Sequence, residues 1–350
     1  MLGSTLAPGH ARPSGVFDQN AWEEWPMDVL SDVLRMIRLE GALFLNGEFR
    51  EPWCVDAPSG GTLAKVLHPG AQNLAVCHFV LEGQCWAQLQ GEAPVLLQAG
   101  DVVTFPHGDS HQIGSGLRNA PVSVDHALPV QLPLLTRVRY GGDGDPALVI
   151  CGWFAYERDI PNPLIGALPR MFRASVGKRS AGPWIAESIR YALDEGDTPL
   201  PGSSLVRAKV AEMLFVEALR GYIESLPPAQ TGWLSGLRDP QIGKCLALMH
   251  ADPAHAWSVA ELADKVHMSR SVLAERFTEL VHVPPMQYLK RWRLSMAARL
   301  LCSELGNLAQ IAESVGYESE AAFNRAFKSE YGISPGLWRR GSGRTTGSPS

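Results

Sequence analysis

The period of the hydrophobic positions changes along the chain, and each change marks a segment. Met27 to Glu40 carries apolar residues at helical spacing, so a helix is expected with Val29, Leu30, Val33, Leu34 and Ile37 inward. From there to about Val149 the runs are short or alternating and are cut by Gly, Pro and Asp: GALFLNGEF, GTLAKVLH, LAVCHFVLEG, QCWAQLQG, APVLLQAG and DVVTFPHG. That texture predicts a small antiparallel barrel or sandwich with room for a small ligand. Helical spacing returns at Trp184 to Leu193 and at Ser203 to Leu226. The second of these is apolar around much of its circumference and needs partners on more than one side. Pro227 to Pro240 begins with two prolines and contains Gly232 and Gly236, the composition of a linker.

One pattern is then written twice. Ala263, Val266, Met268, Leu273 and Phe277 are matched by Ala312, Val315, Tyr317, Phe323 and Phe327. Each copy predicts a helix, a tight turn and a second helix. Ser258 with Glu261, and Asn307 with Gln310, are reciprocal start signals for the two first helices. Ser269 and Ser319 are placed to cap the two second helices. Gly316 supplies the freedom of a sharp turn, and His267 holds the corresponding place in the first copy. Between the copies, Pro284 and Pro285 start a helix that runs to Cys302, with Lys290, Arg291 and Arg293 on or near its outer face as phosphate contacts or as a solvated face.

The stretches SVAELADKVHMSRSVLAERF and LAQIAESVGYESEAAFNRAFKSEYGISPGLWRR resemble the DNA-binding domain of the AraC family of bacterial transcription regulators. The resemblance implies two helix-turn-helix units on a connecting helix, each offering its second helix to the DNA major groove. With Leu273 and Phe277 inward, Ser269, Arg270, Ser271, Ala274 and Glu275 are left to face DNA. With Phe323 and Phe327 inward, Ser319, Glu320, Ala321, Asn324, Arg325 and Lys328 are left. Arg325 suits guanine, Asn324 adenine, and Glu275 the amino group of cytosine, while Lys328 suits a phosphate. The plainer reading of each is an exposed helical side chain that touches nothing. Arg276, next to the inward Phe277, is ambiguous and has room to pack along its stem.

A second resemblance lies in the β-rich half. Gly100, followed after five residues by Pro106, His107, Gly108, Asp109, Ser110 and His111, is similar to the second motif of the cupin superfamily. His78 and Glu82 stand for part of the first motif, although Val76 occupies the place of one metal-binding histidine. His78, Glu82 and His111 are thus a candidate three-ligand site for a divalent metal. Equally, Pro106 to Gly108 is a turn between strands, Glu82 closes a hairpin with Gly83, and the histidines are polar lining. Cys77 and Cys151 are candidates for an oxidation-sensitive switch, which needs a stabilised, exposed thiolate; buried apolar cysteine is the alternative.

Composition adds limits. With 45% hydrophobic and 19% charged residues in 350, the chain should fold as more than one domain. Residues 241–350 hold 13 Lys and Arg against 10 Asp and Glu, while residues 1–240 hold 18 against 26. DNA contact is therefore expected at the C-terminal end, through placed contacts and a second subunit and not through a broad basic field. No signal peptide or membrane span is visible, and the six scattered cysteines suit a reducing cytoplasm. The expected architecture is α+β: an N-terminal cupin-like antiparallel β-barrel with flanking helices, and a C-terminal all-α double helix-turn-helix domain. Its expected parts are a disordered leader (1–26), a cupin-like sensor (27–150), a helical dimerisation segment (151–226), a linker (227–240), the DNA-binding domain (241–340) and a disordered tail (341–350). The expected function is a DNA-binding transcription regulator, not an enzyme, acting as a homodimer with promoter DNA, RNA polymerase and a small effector. The alternative is a metal-dependent cupin enzyme carrying an accessory DNA-binding module.

Overall fold

A computed structural model describes residues 28–37, 40–116, 120–123, 135, 137–156, 160–197, 200–303 and 306–342. The expected leader lies outside the described residues, as does the expected tail from residue 343 on. The first helix, α1 (Val29–Ile37), buries Val29, Val33 and Ile37 at one-turn intervals. Next come β1 (Glu40–Arg50) and β2 (Cys54–Ala57). GTLAKVLH, expected among the strand-like runs, is instead the helix α2 (Gly60–Leu67). Its start is fixed by Ser59, whose side chain accepts a hydrogen bond from the Thr62 N–H, and it seats Leu63, Ala64 and Leu67 on one apolar patch. Eight residues carry too few periods for spacing alone to separate helix from strand.

The remaining strands are β3 (Leu74–Glu82), β4 (Gln84–Leu89), β5 (Val95–Gln98), β6 (Asp101–Phe105), β7 (His111–Gly114), β8 (Val122–Ser123), β9 (Arg137–Gly141), β10 (Pro146–Ala155) and β11 (Phe172–Ser175). They form one six-stranded sheet, ordered β11-β6-β3-β10-β1-β9, and one five-stranded sheet, ordered β5-β4-β7-β2-β8. Most pairs are antiparallel, but β1–β9 and β2–β8 run parallel, and the two sheets are not closed into a single cylinder. Between them lies an apolar layer built from Leu45, Phe49, Val80, Leu89, Phe105 and Val149 among others. β3 is buried from Leu74 through Leu81 because both of its faces are covered. One strand of this sheet, β11, and the latter half of another, β10, come from the stretch expected to be helical. The apolar run LVICGWF is a central strand, paired with both β1 and β3.

The outer face of the larger sheet is covered by helices. After α3 (Pro163–Ala167) and β11, α4 (Gly182–Asp197) leads into α5 (Ser203–Ser225). α5 buries Val210, Ala211, Leu214, Phe215, Ala218 and Leu219. Phe215 meets Phe154 of β10 at a ring separation of 4.7 Å, and Tyr222 meets Phe172 of β11 at 4.7 Å. This helix, expected from the family resemblance to pair two subunits or else to pack onto its own barrel, turns this apolar face to its own sheet. Apolar residues around a helix show that it has several neighbours; they do not show whose.

The C-terminal half is all helical: α6 (Trp233–Arg238), α7 (Pro240–Ala251), α8 (Val259–Lys265), α9 (Arg270–Val281), α10 (Pro285–Cys302), α11 (Leu308–Ser314), α12 (Glu320–Tyr331) and α13 (Pro335–Ser342). α6 falls within the expected linker, with Trp233 and Leu234 buried. One apolar core runs from α1 and the larger sheet through α5 and α6 to Trp292 of α10. Polar contacts join the halves as well: Ser295 Oγ donates to the Pro161 carbonyl at 3.0 Å, and Arg299 donates to the Arg35 carbonyl.

Candidate nucleic-acid interface and sensor interior

Both helix-turn-helix units are built from the start signals in the sequence. Ser258, Ser269, Asn307 and Ser319 each accept a hydrogen bond from the first turn of the following helix. Only Asn307 and Gln310 complete the reciprocal arrangement; Glu261 instead turns to His255, 2.8 Å away. Both turns use left-handed backbone, at His267 (φ 55°) and Gly316 (φ 80°). Glycine suits the second turn on a further count, since a Cβ there would lie 2.7 Å from the Ala254 carbonyl oxygen.

α9 and α12 bury Leu273, Phe277 and Val281, and Phe323 and Phe327, respectively. On their outer sides Ser269, Arg270, Ser271 and Glu275 are exposed, as are Ser319, Glu320, Arg325 and Lys328. Asn324 is half-buried, and its side-chain amide donates to the Glu320 carbonyl at 3.0 Å, which ties it to its own helix. Arg276 is engaged through its guanidinium. It makes a two-pronged contact with Asp239, the cap of α7, at 3.1 and 2.5 Å, and holds α9 in place. Arg293 turns inward from the outer face expected for it and donates to the carbonyls of Pro253, His255 and Gly316, bridging the two units. Val272, half-exposed on the outer side of α9, is a surface residue that its apolar type concealed.

In the sensor half, His78 and His111 are brought together, Nε2 to Nε2 at 2.6 Å, and Cys151 Sγ lies 2.8 Å from His78 Nδ1. His111 Nδ1 is 2.9 Å from the Asp109 carbonyl, which only accepts, so Nδ1 carries the proton. The rest of the chain follows. His78 Nε2–H donates to His111, and the Cys151 thiol donates to His78 Nδ1. With both imidazoles neutral and the thiol protonated, every polar atom of this row has a partner. Burial supports those states: His111 is pushed down to about 4, His78 well below its ordinary value, and the Cys151 thiol well above its own.

Glu82 does not join this row. It stands at the exposed end of β3, 3.9 Å from Arg190, because the strand leaves the covered part of the sheet before reaching it. The three-ligand site expected from His78, Glu82 and His111 is therefore not assembled, and no group of three metal-binding side chains occurs among the described residues. The two imidazoles face each other as hydrogen-bond partners, so the residues present do not fit a divalent metal. The expected thiolate switch meets the same obstacle. Cys77 and Cys151 are buried, and burial raises Cys77 to about 12. Room is short too, because a cavity of only about 40 Å³ remains beside His78 and Cys151. The ligand space expected in the barrel is filled by Phe49, Trp53 and Phe105. A larger cavity, about 500 Å³, opens where the sensor half meets α6 and α10.

Two sheets over an apolar layer are packed against a pair of capped helix-turn-helix units of the kind that places a second helix in the DNA major groove. Comparison with known proteins agrees. The sequence pattern of the Cupin family matches residues 28–224, and that of the helix-turn-helix domain matches residues 262–341. An AraC-like transcription regulator of Streptomyces antibioticus is 33% identical over 320 residues, covering 90% of this chain and 99% of its own. The transcriptional regulator AlkR of Acinetobacter baylyi is 29% identical, covering 90% and 99%. The DNA-binding domain of AdpA, solved with a target DNA, is 28% identical over 31% of this chain, at a TM-score of 0.30. The chain belongs to the AraC-like transcription regulators, with a cupin domain ahead of its helix-turn-helix domain.

Proposed function

We propose that this regulator reads a promoter through the outer faces of α9 and α12 under the control of a small effector. It does so in the cytoplasm as a homodimer working with RNA polymerase. The observation that carries the reading is a division among its polar side chains. Arg276, Arg293 and Asn324 are engaged by the protein itself, whereas Arg270, Glu275, Arg325 and Lys328 stand exposed on the two capped helices, as does Ser271, whose hydroxyl meets that of Ser269. Side chains held off the core along a second helix are those that can reach base edges and phosphates. Arg325 would then read guanine, Glu275 would accept from cytosine and Lys328 would meet a phosphate. The exposed Trp184 and Leu205, beside the face that α5 turns to its own sheet, support a contact between subunits on the outer side of α4 and α5. No helix among the described residues is long and apolar enough to cross a membrane.

The sensor interior favours regulation over the metal-dependent enzyme, because Glu82, the acid such a site would use, stands apart from both histidines. Titration of the full-length protein against its own upstream intergenic DNA and a scrambled duplex, over a salt series, tests the proposal. Preference for the upstream DNA that survives moderate salt is the expected result. Equal, steeply salt-dependent binding to both duplexes would refute it.

A further inference from the structure

The cavity of about 500 Å³ lies on the seam between the two halves. Gly166 of α3 supplies its sensor wall, and Trp233, Val281, Trp292 and Arg291 its reader wall. We propose that this cavity is the effector site and that its ligand is a small amphipathic organic anion with an aromatic or aliphatic body. The proposal rests on the regulator reading and assigns the effector a place outside the sheet interior.

Volume and chemistry both point there. The space suits a small organic molecule, whereas the cavity beside His78 and Cys151 holds only about 40 Å³. Most polar groups around the cavity are already engaged. Ser295 Oγ donates to the Pro161 carbonyl, the Tyr288 hydroxyl is held between Trp233 Nε1 and His250 Nε2, and Asn162 caps α3 while donating to the Val33 carbonyl. Arg291 is different. Its Nε lies 3.6 Å from Glu330, a loose pairing, and its terminal nitrogens make no hydrogen bond among the described residues. A ligand filling the cavity would lay its body against the two indoles and bring an anionic end to Arg291.

The position also supplies the coupling. Val281 and His282 form the end of reading helix α9, and Tyr288, Arg291 and Trp292 lie on α10, which joins the two reading units. A ligand here touches sensor and reader together. It favours whichever arrangement keeps the cavity open, and by linkage DNA must alter ligand affinity by the same factor.

The test uses full-length protein and two fluorescent probes: 8-anilinonaphthalene-1-sulfonate, and the neutral N-phenyl-1-naphthylamine of nearly the same body. Gly166→Phe fills the cavity without a clash at its root, because a Cβ at Gly166 meets no atom within 4 Å. It should weaken both probes by about tenfold or more and leave binding to upstream DNA unchanged in their absence. Arg291→Gln should weaken the sulfonate by about tenfold and the neutral probe by less than about twofold. Saturating sulfonate should shift the DNA affinity of the wild type by about fivefold or more, and that of Gly166→Phe not at all. Undiminished probe binding in Gly166→Phe would overturn the site. Equal losses of both probes in Arg291→Gln would overturn the anionic class, and an unmoved DNA affinity in the wild type would overturn the effector role. Probe titration needs no DNA, so failure of the site and failure of the regulator reading remain distinguishable.

Discussion

At the scale of single residues, exposure and engagement decide more than type. Arg325 is exposed and unspent on α12, so Arg325→Ala should lower affinity for the upstream DNA by about 1 to 3 kcal/mol and relax preference at one base pair, with no change in folding. Fluorescence anisotropy with single-base variants of the duplex measures this, and an unaltered preference at every position would remove Arg325 from the reading surface. The buried histidines give a prediction about stability. Burial holds His111 at about 4 and His250 at about 3, both below the ordinary 6.5, so the unfolded chain takes up protons that the folded chain refuses. Stability is therefore fully present above about pH 6.5 and falls as the pH drops toward those values, the contribution being on the order of 3 kcal/mol for His111 and 5 kcal/mol for His250. Urea midpoints measured from pH 7.5 to 5 should decline, and less steeply in His250→Phe; a flat wild-type profile would show that these rings are not held neutral. None of these engagements could be read from the chain alone. Cys151 and His78 are 73 positions apart, and only the pairing of β3 with β10 places them side by side.

Elements were legible where a local signal fixes them. Ser269, Ser319, Asn307 and Gln310 sit at helix starts in the sequence and cap those starts in the fold, because a cap needs only residues three apart. Removing the Ser319 hydroxyl with Ser319→Ala should cost about 1 kcal/mol. Gly316→Ala should cost more, about 1 to 3 kcal/mol, since it adds left-handed strain to a Cβ 2.7 Å from the Ala254 carbonyl. Thermal unfolding of the two variants tests that order, and a Gly316→Ala protein as stable as Ser319→Ala would contradict the account of the turn. Elements were misread where the deciding partner is distant. GTLAKVLH folds as a helix because Leu74, Trp153 and Ala155 receive its apolar side.

At the scale of the whole molecule, the two halves share one core instead of hanging from a loose tether. Trp233, in the stretch whose Pro and Gly suggested a linker, is buried and donates to the Tyr288 hydroxyl of α10 at 2.9 Å. Composition reports how freely a segment can bend; it does not report what the segment meets when the chain folds. A shared core means that ligand contacts on the seam and base contacts on α9 bear on one connected body, the condition under which a small effector can alter DNA binding. α10 has 18 residues, roughly 27 Å of rod, and joins the two units so that they can face successive turns of the same DNA groove. Hydroxyl-radical footprinting of the full-length protein on its upstream DNA tests this most directly. Each half-site should show two protected tracts about 10 base pairs apart on one face of the duplex, and Arg325→Ala should weaken one of them. A single tract per half-site, or two tracts on opposite faces, would contradict the assignment of α9 and α12 as paired readers.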